Sequence, residues 1–152
     1  MQARLNLRSQ RGALRRIRRF VAIFGAARGV DRAEQARIAI LIEELLTNLM
    51  KYGHPGHVRA RHVNITLHLA SKQMTIVFTD NGRAFNLLAH PPPDLERPLE
   101  ERPVGHLGLQ IVRELAHEVS YNRVRGRNVI RLIRHLAPYR RMRPTRLRAR
   151  RL

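Results

Sequence analysis

Glu44 and Asn48 stand four residues apart in the run Glu44-Leu-Leu-Thr-Asn48, so on a helix a carboxylate and an amide project from one side. A carboxylate so placed can take a proton from water or a hydroxyl within hydrogen-bond reach. The amide oxygen can join phosphate oxygens around magnesium, a cation that prefers oxygen ligands and keeps several waters. Spacing alone would equally describe two solvent-facing residues. Their position beside the row Leu41, Leu45 and Leu49 instead puts them at the rim of an apolar stripe. A second patch, Asp80-Asn-Gly82, follows an apolar run. It reads either as a turn or as an acid at a strand end that accepts the exocyclic amine of adenine, with Gly82 letting the ring approach. A third, Gly105-His106-Leu107-Gly108-Leu109, opens a helical stretch. Permissive glycines at a helix start expose free backbone N–H groups to phosphate, although a plain glycine turn would look the same. It lacks the Gly-Lys-Ser/Thr end of a Walker loop and is not a dinucleotide fingerprint. Each patch is weak alone; in this order the three describe one nucleotide site.

The elements that must position them follow from periodicity. Ala3 to Leu7 alternates and is expected as an edge strand, with Ser9 as the cap of a helix carrying Leu14, Ile17, Val21 and Phe24 inward. Asp31 and Glu34 have capping-box spacing before a second helix through Ile38, Leu41, Ile42, Leu45, Leu46 and Leu49. That helix should stop at Gly53-His-Pro-Gly56. Val63 to Leu69 and Met74 to Phe78 alternate as an antiparallel pair. Residues 86–104 hold five of the eight prolines and four acids and are expected to form a lid-like connection. A third helix is expected from about Gly108 to Glu118, then strands over Val119 to Val124 and Asn128 to His135, turned at Arg125-Gly126. The order predicts an α+β two-layer sandwich, with helices on one face of a mixed, mainly antiparallel sheet.

With 152 residues and 43% hydrophobic content the chain can build one core. The absence of cysteine excludes disulfides and cysteine-ligated zinc. No apolar run reaches the roughly 18 residues of a membrane span, and the chain reads as a cytoplasmic protein with no transmembrane segment. The net charge is +19, concentrated at the ends: residues 1–19 and 139–152 carry seven arginines each and no acid. The rest holds 16 basic against 11 acidic residues. The organisation expected is a body over 1–137 and an arginine-rich tail over 138–152. The basic ends could meet nucleic acid or another anionic partner; with only two lysines among 30 basic residues, compositional bias explains them as well. His54, His57, His62 and His68 cluster in sequence but have no acid nearby and read as surface histidines.

Together the patches resemble the Bergerat-type ATP-binding domain of the histidine-kinase and gyrase superfamily, most of all the small anti-sigma factor serine kinases. Glu44-Leu-Leu-Thr-Asn48-Leu-Met-Lys-Tyr is similar to that family's N box. Asp80-Asn-Gly-Arg-Ala-Phe-Asn is similar to its first glycine box, and Gly105-His-Leu-Gly-Leu-Gln-Ile-Val to the second. The closing strands correspond to Gly126-Arg-Asn-Val-Ile-Arg-Leu, and the likeness covers about residues 3–136. The resemblance implies ATP and Mg2+ held between the sheet and a flexible lid. It makes Glu44 the catalytic base, Asn48 a magnesium ligand, Asp80 and Gly82 adenine contacts, and Gly105, His106, Leu107, Gly108 and Leu109 the phosphate segment. Lys51 would reach a phosphate and Asn128 would lie near the adenine. It implies phosphorylation of a serine or threonine on an antagonist protein, sequestration of a sigma factor, and homodimerisation. The chain departs from the pattern at His106, where a second glycine is common, and at Asn86, where an aspartate is common. The alternative readings are a non-catalytic ATP-binding interaction module and an ATP-responsive nucleic-acid-associated protein acting through its basic ends.

Overall fold

The structure, a computed structural model, describes residues 1–9, 12–52, 61–89, 106–136 and 146–147. The chain order is β1 (Gln2–Arg8), α1 (Ala13–Ala26), α2 (Arg32–Tyr52), β2 (His62–Ala70), β3 (Gln73–Asp80), a 3-10 turn (Leu87–Ala89), α3 (His106–Leu115), β4 (Glu118–Val124), β5 (Arg127–His135) and β6 (Arg146–Leu147). The sheet runs β1-β2-β3-β5-β4-β6, antiparallel throughout except for the two-residue parallel pairing of β6 with β4. The expected architecture is the one observed, and β6 is an addition that alternation did not reveal.

Two-residue turns set the strand register. Ser71 and Lys72 join β2 to β3, both at positive φ, and Arg125 and Gly126 join β4 to β5 in the same way. Such turns match the right-handed twist of the flanking strands. The β3–β5 pairing brings Asp80 opposite Asn128. One face of the sheet buries Val63, Ile65, Leu67, Met74, Ile76, Phe78, Ile130 and Leu132. Against it lies α2, whose Ile38, Leu41, Ile42, Leu45, Leu46 and Leu49 are all buried.

Three local expectations need correction. Ser9 does not cap α1: Gly12 occupies that position in left-handed conformation with no side-chain cap, while Ser9 Oγ accepts the Arg61 N–H at 2.8 Å. A serine beside a strand finds its partner across the sheet edge. Leu14 does not point inward; the buried row is Ala13, Ile17, Val21 and Phe24, and Leu14 is 40% exposed. The small alanine lets the helix start sit close to the core, which leucine's greater hydrophobicity hides in a periodicity reading. The third helix ends at Leu115, and Glu118 opens β4 instead. There the His117 N–H has already joined the Ile133 carbonyl at 2.8 Å.

Half of the capping box forms. The Glu34 N–H donates to Asp31 Oδ1 at 2.9 Å, but the Glu34 side chain turns into the protein instead of back to the cap. It receives Arg134 Nε at 2.5 Å and Nη2 at 2.9 Å, plus Arg37 Nη1 at 2.7 Å. Arg134 Nη1 donates in addition to the Leu115 carbonyl at the end of α3. Glu34 and Arg134 are 7% and 5% exposed, so a bidentate pair from residues 100 apart ties α2, β5 and α3 together. Removing one member of a buried pair strands the other charge, at a cost of about 3–5 kcal/mol. Glu34→Ala is expected to lower the unfolding free energy by about that amount in urea titration, and Glu34→Met with Arg134→Leu to recover most of it.

Candidate functional site

The candidate site lies where the C-terminal half of α2 meets the ends of β3 and β5 and the start of α3. Leu45, Asn48 and Leu49 of α2, Asp80, Phe85, Leu87, and Asn128 and Ile130 of β5 line a narrow crevice. Apolar walls with a few inward polar groups are the usual make-up of a small-molecule pocket. Phe85 stacks on Tyr52 at a centroid distance of 5.4 Å, which closes one side.

At the polar end, Asp80 is 4% exposed. Its Oδ1 accepts the Gly82 N–H at 2.7 Å and Asn128 Nδ2 at 2.9 Å. Both bonds fall on one oxygen and neither engages Oδ2. Burial pushes the Asp80 carboxyl above its ordinary range, opposed by these two hydrogen bonds and then by Arg123 and Arg61. Asn128, 2% exposed, is the centre of the network. Its Nδ2 also donates to the Arg83 carbonyl at 2.8 Å, and its Oδ1 accepts Tyr121 Oη at 2.9 Å and Arg123 Nη1 at 2.8 Å. Arg123 Nη1 lies 3.1 Å from the Gly82 carbonyl as well. Tyr121 and Arg123 were not singled out from the sequence. Their signal was the two-residue turn at 125–126, which forces Arg123 opposite Asn128 and Tyr121 opposite Ile130.

At the helical end, Asn48 is 5% exposed and its Nδ2 has no hydrogen-bond partner. An orphaned polar group of this kind costs about 1–3 kcal/mol unless something occupies its site. Glu44, one turn earlier and half-buried, lies against α3. A Cβ on residue 108 would overlap Glu44 Oε2 and stand 3.9 Å from Asn48 Nδ2. Glycine at 108 is therefore what lets the Glu44 carboxylate of α2 approach the first turn of α3, where free N–H groups point outward.

The structure brings Glu44 and Asn48 to Gly108 where α2 meets α3, and Asp80, Gly82 and Asn128 together at the ends of β3 and β5; Asn48, Asp80 and Asn128 line the crevice. Leu109 is buried beneath α3 and serves the core. His106 and Leu107 form the first turn of α3. Lys51 is exposed in the last turn of α2. Gly105, most of the 86–104 connection, and His54 and His57 lie outside the described residues. His62 and His68 are exposed, and no cluster of three or more metal-ligating side chains occurs among the described residues. No helix among them is long and apolar enough to cross a membrane.

Comparison with known proteins places the chain in a family. The profile of the histidine kinase-like ATPase domain matches residues 7–134. The serine/threonine-protein kinase BtrW of Bordetella bronchiseptica is 31% identical over 102 residues, 66% of this chain and 70% of that protein. A Mycobacterium tuberculosis structure of RsbU and RsbW domains superposes over all of this chain with a TM-score of 0.64 at 18% identity, a likeness of fold. This chain spans 35% of that longer one. With the family match extending from the last residues of β1 to the penultimate residue of β5, the chain belongs to the histidine kinase-like ATPase domain family.

Proposed function

We propose that this chain binds ATP with Mg2+ in the crevice and transfers the γ-phosphoryl group to a serine or threonine of an antagonist protein. In the same reading it holds a sigma factor inactive by direct binding. The observation that carries the proposal is the placing of polar groups in and beside one apolar crevice: Asp80, Asn128 and Asn48 in its lining, with Glu44 and Gly108 next to Asn48.

The adenine end reads donors. Two protein hydrogen bonds saturate Asp80 Oδ1 and hold the carboxyl plane, leaving Oδ2 to accept the exocyclic amine. The oxo group of guanine would present an acceptor to an acceptor. In Asp80→Asn the amide oxygen can keep both protein bonds, and the new NH2 then faces the adenine amine. The expected loss of ATP affinity is at least about 10–100-fold, the cost of one unpaired buried polar group. Titration calorimetry of the variant and the unmutated chain measures it. The same carboxyl must be ionised to accept the amine. Because burial raises it, ATP affinity should begin to fall, as pH is lowered, above the range where an exposed aspartate titrates. Linkage has the opposite sign for the empty fold. A raised carboxyl contributes stability below its unfolded value and loses it as pH rises through the folded one. Asp80→Asn should therefore abolish that loss and leave the variant no less stable at neutral pH.

The phosphate end carries the chemistry. The amide of Asn48, whose oxygen and nitrogen exchange by a half-turn of one torsion, is the group that would hold magnesium. The bound ion would offset negative charge on the phosphate oxygens. Backbone N–H groups in the first turn of α3 would hold the phosphates. Glu44 would accept the hydroxyl proton as the acceptor oxygen bonds to the γ-phosphorus and the bond to the β-bridging oxygen breaks, releasing ADP. Glu44→Ala removes the base and not the pocket. It is expected to keep ATP affinity within about threefold while phosphotransfer falls by roughly 10²–10⁴-fold; transfer at the unmutated rate would exclude Glu44 as the base.

Gly108→Ala tests the junction. Alanine is the better helix residue by about 1 kcal/mol, and the overlap falls on the far end of the flexible Glu44 side chain. The thermal midpoint should hold or rise while phosphotransfer drops, because the carboxylate must move. A variant that loses stability instead would show that Gly108 serves packing alone.

A further inference from the structure

The sheet has a second face that no helix among the described residues covers. Its β1 residues Arg4, Asn6 and Arg8 stand opposite Thr66, Asn64 and His62 of β2, and Asn64 stands opposite Thr79 of β3. Of these, Arg4, Asn6, Arg8, His62, Asn64 and Thr79 line one broad depression, bounded on the β5 side by Arg127 and at the β1 edge by Arg16. Arg16 is fixed there by its bond to the Asn6 carbonyl at 3.1 Å. The floor is a hydrogen-bonded polar ladder: Asn64 Nδ2 donates to Asn6 Oδ1, Thr66 Oγ1 to Asn64 Oδ1, and the His62 N–H to Asn81 Oδ1.

Arg18, Arg37 and Arg134 are each paired with a carboxylate. Arg4, Arg8 and Arg127 are exposed and have no carboxylate partner among the described residues. The one acid among the residues lining the depression, Asp80, is buried and engaged with Gly82 and Asn128. A group of guanidinium forks over neutral hydrogen-bonding side chains matches carboxylates, which take such forks two bonds at a time. From β1 to β5 is three strand spacings, roughly 14 Å, enough for one helix of about 10–12 Å or an extended segment. The described strands place no Phe, Tyr or Trp on this face. A stacking platform for unpaired bases is therefore lacking there.

We propose that the open sheet face is a docking surface for an acidic segment of a protein partner, engaged through Arg4, Arg8 and Arg127. The inference does not depend on ATP chemistry, since Arg4, Arg8 and Arg127 stand at strand positions that alternate to the side away from α2 and α3, and the depression meets the crevice only at the buried Asp80.

The test uses the full chain and fluorescence anisotropy with a labelled oligoglutamate peptide. A labelled oligothymidylate of similar charge serves as the second probe. Arg4→Glu with Arg127→Glu should weaken peptide binding by roughly tenfold or more, as two pairings become repulsions. Arg4→Lys with Arg127→Lys should keep most of it. Both double variants should retain the thermal midpoint and ATP affinity of the parent, so a folding defect or a failed ATP site would be seen separately. Peptide binding unchanged by the charge reversals would assign it to other arginines, such as those of the tail over 138–152, and overturn the proposal. Tighter binding of the oligothymidylate, lost on the same reversals, would make the face a nucleic-acid surface and overturn it equally.

Discussion

Everything at the site depends on how α2 lies across the sheet. Its buried row, Ile38 to Leu49, is pressed on Ile76, Phe78, Ile130 and Leu132, and this fixes the helix's rotation about its own axis. Once that rotation is set, the positions of Glu44 and Asn48 follow, because residues at a helix's rim are carried by those at its centre. The buried Glu34–Arg134 pair fixes the other degree of freedom. It holds the start of α2 to β5, and through the Leu115 carbonyl to the end of α3. Hydrophobic burial is non-directional; the ion pair supplies a direction. The two helices that bound the crevice are thus referenced to the same strand that carries Asn128.

Much of this was legible in the sequence, for identifiable reasons. Helical spacing gave away α2 because its apolar row continues over three turns, and strict alternation gave away β2 and β3. Those signals are local. What stayed hidden joins residues far apart in the chain. Nothing near Glu34 announces Arg134, and a capping-box spacing offered a simpler role for the same carboxylate. A cap for Ser9 is suggested by its neighbours along the chain, whereas its partner, Arg61, comes from just before the adjoining strand. At the site, the types of Asp80 and Asn128 were readable, but their hydrogen bond to one another needed the β3–β5 register. The close approach of Gly108 to Glu44 needed the crossing of α2 and α3.

The two faces of the sheet divide the electrostatics. The helix-covered face buries its few charged groups in pairs or networks, as a low-dielectric interior requires. The open face leaves its arginines in water, where single charges cost little, and spreads neutral amides and hydroxyls between them. The network of Asn128, Arg123 and Gly82 sits at the end of β3 and β5, close to where the two regimes meet.

The short strand β6 has a consequence for the life of the folded chain. The family match stops at residue 134, yet Arg146 and Leu147 return to pair in parallel with Glu118 and Val119. Without them β4 would be the terminal strand along its whole length, a row of unpaired amides and carbonyls open to any extended segment from another molecule. A strand taken from the chain's own tail shields part of that row. A clip removing the tail would leave the core intact and still make the protein stickier, a change visible as self-association and not as unfolding.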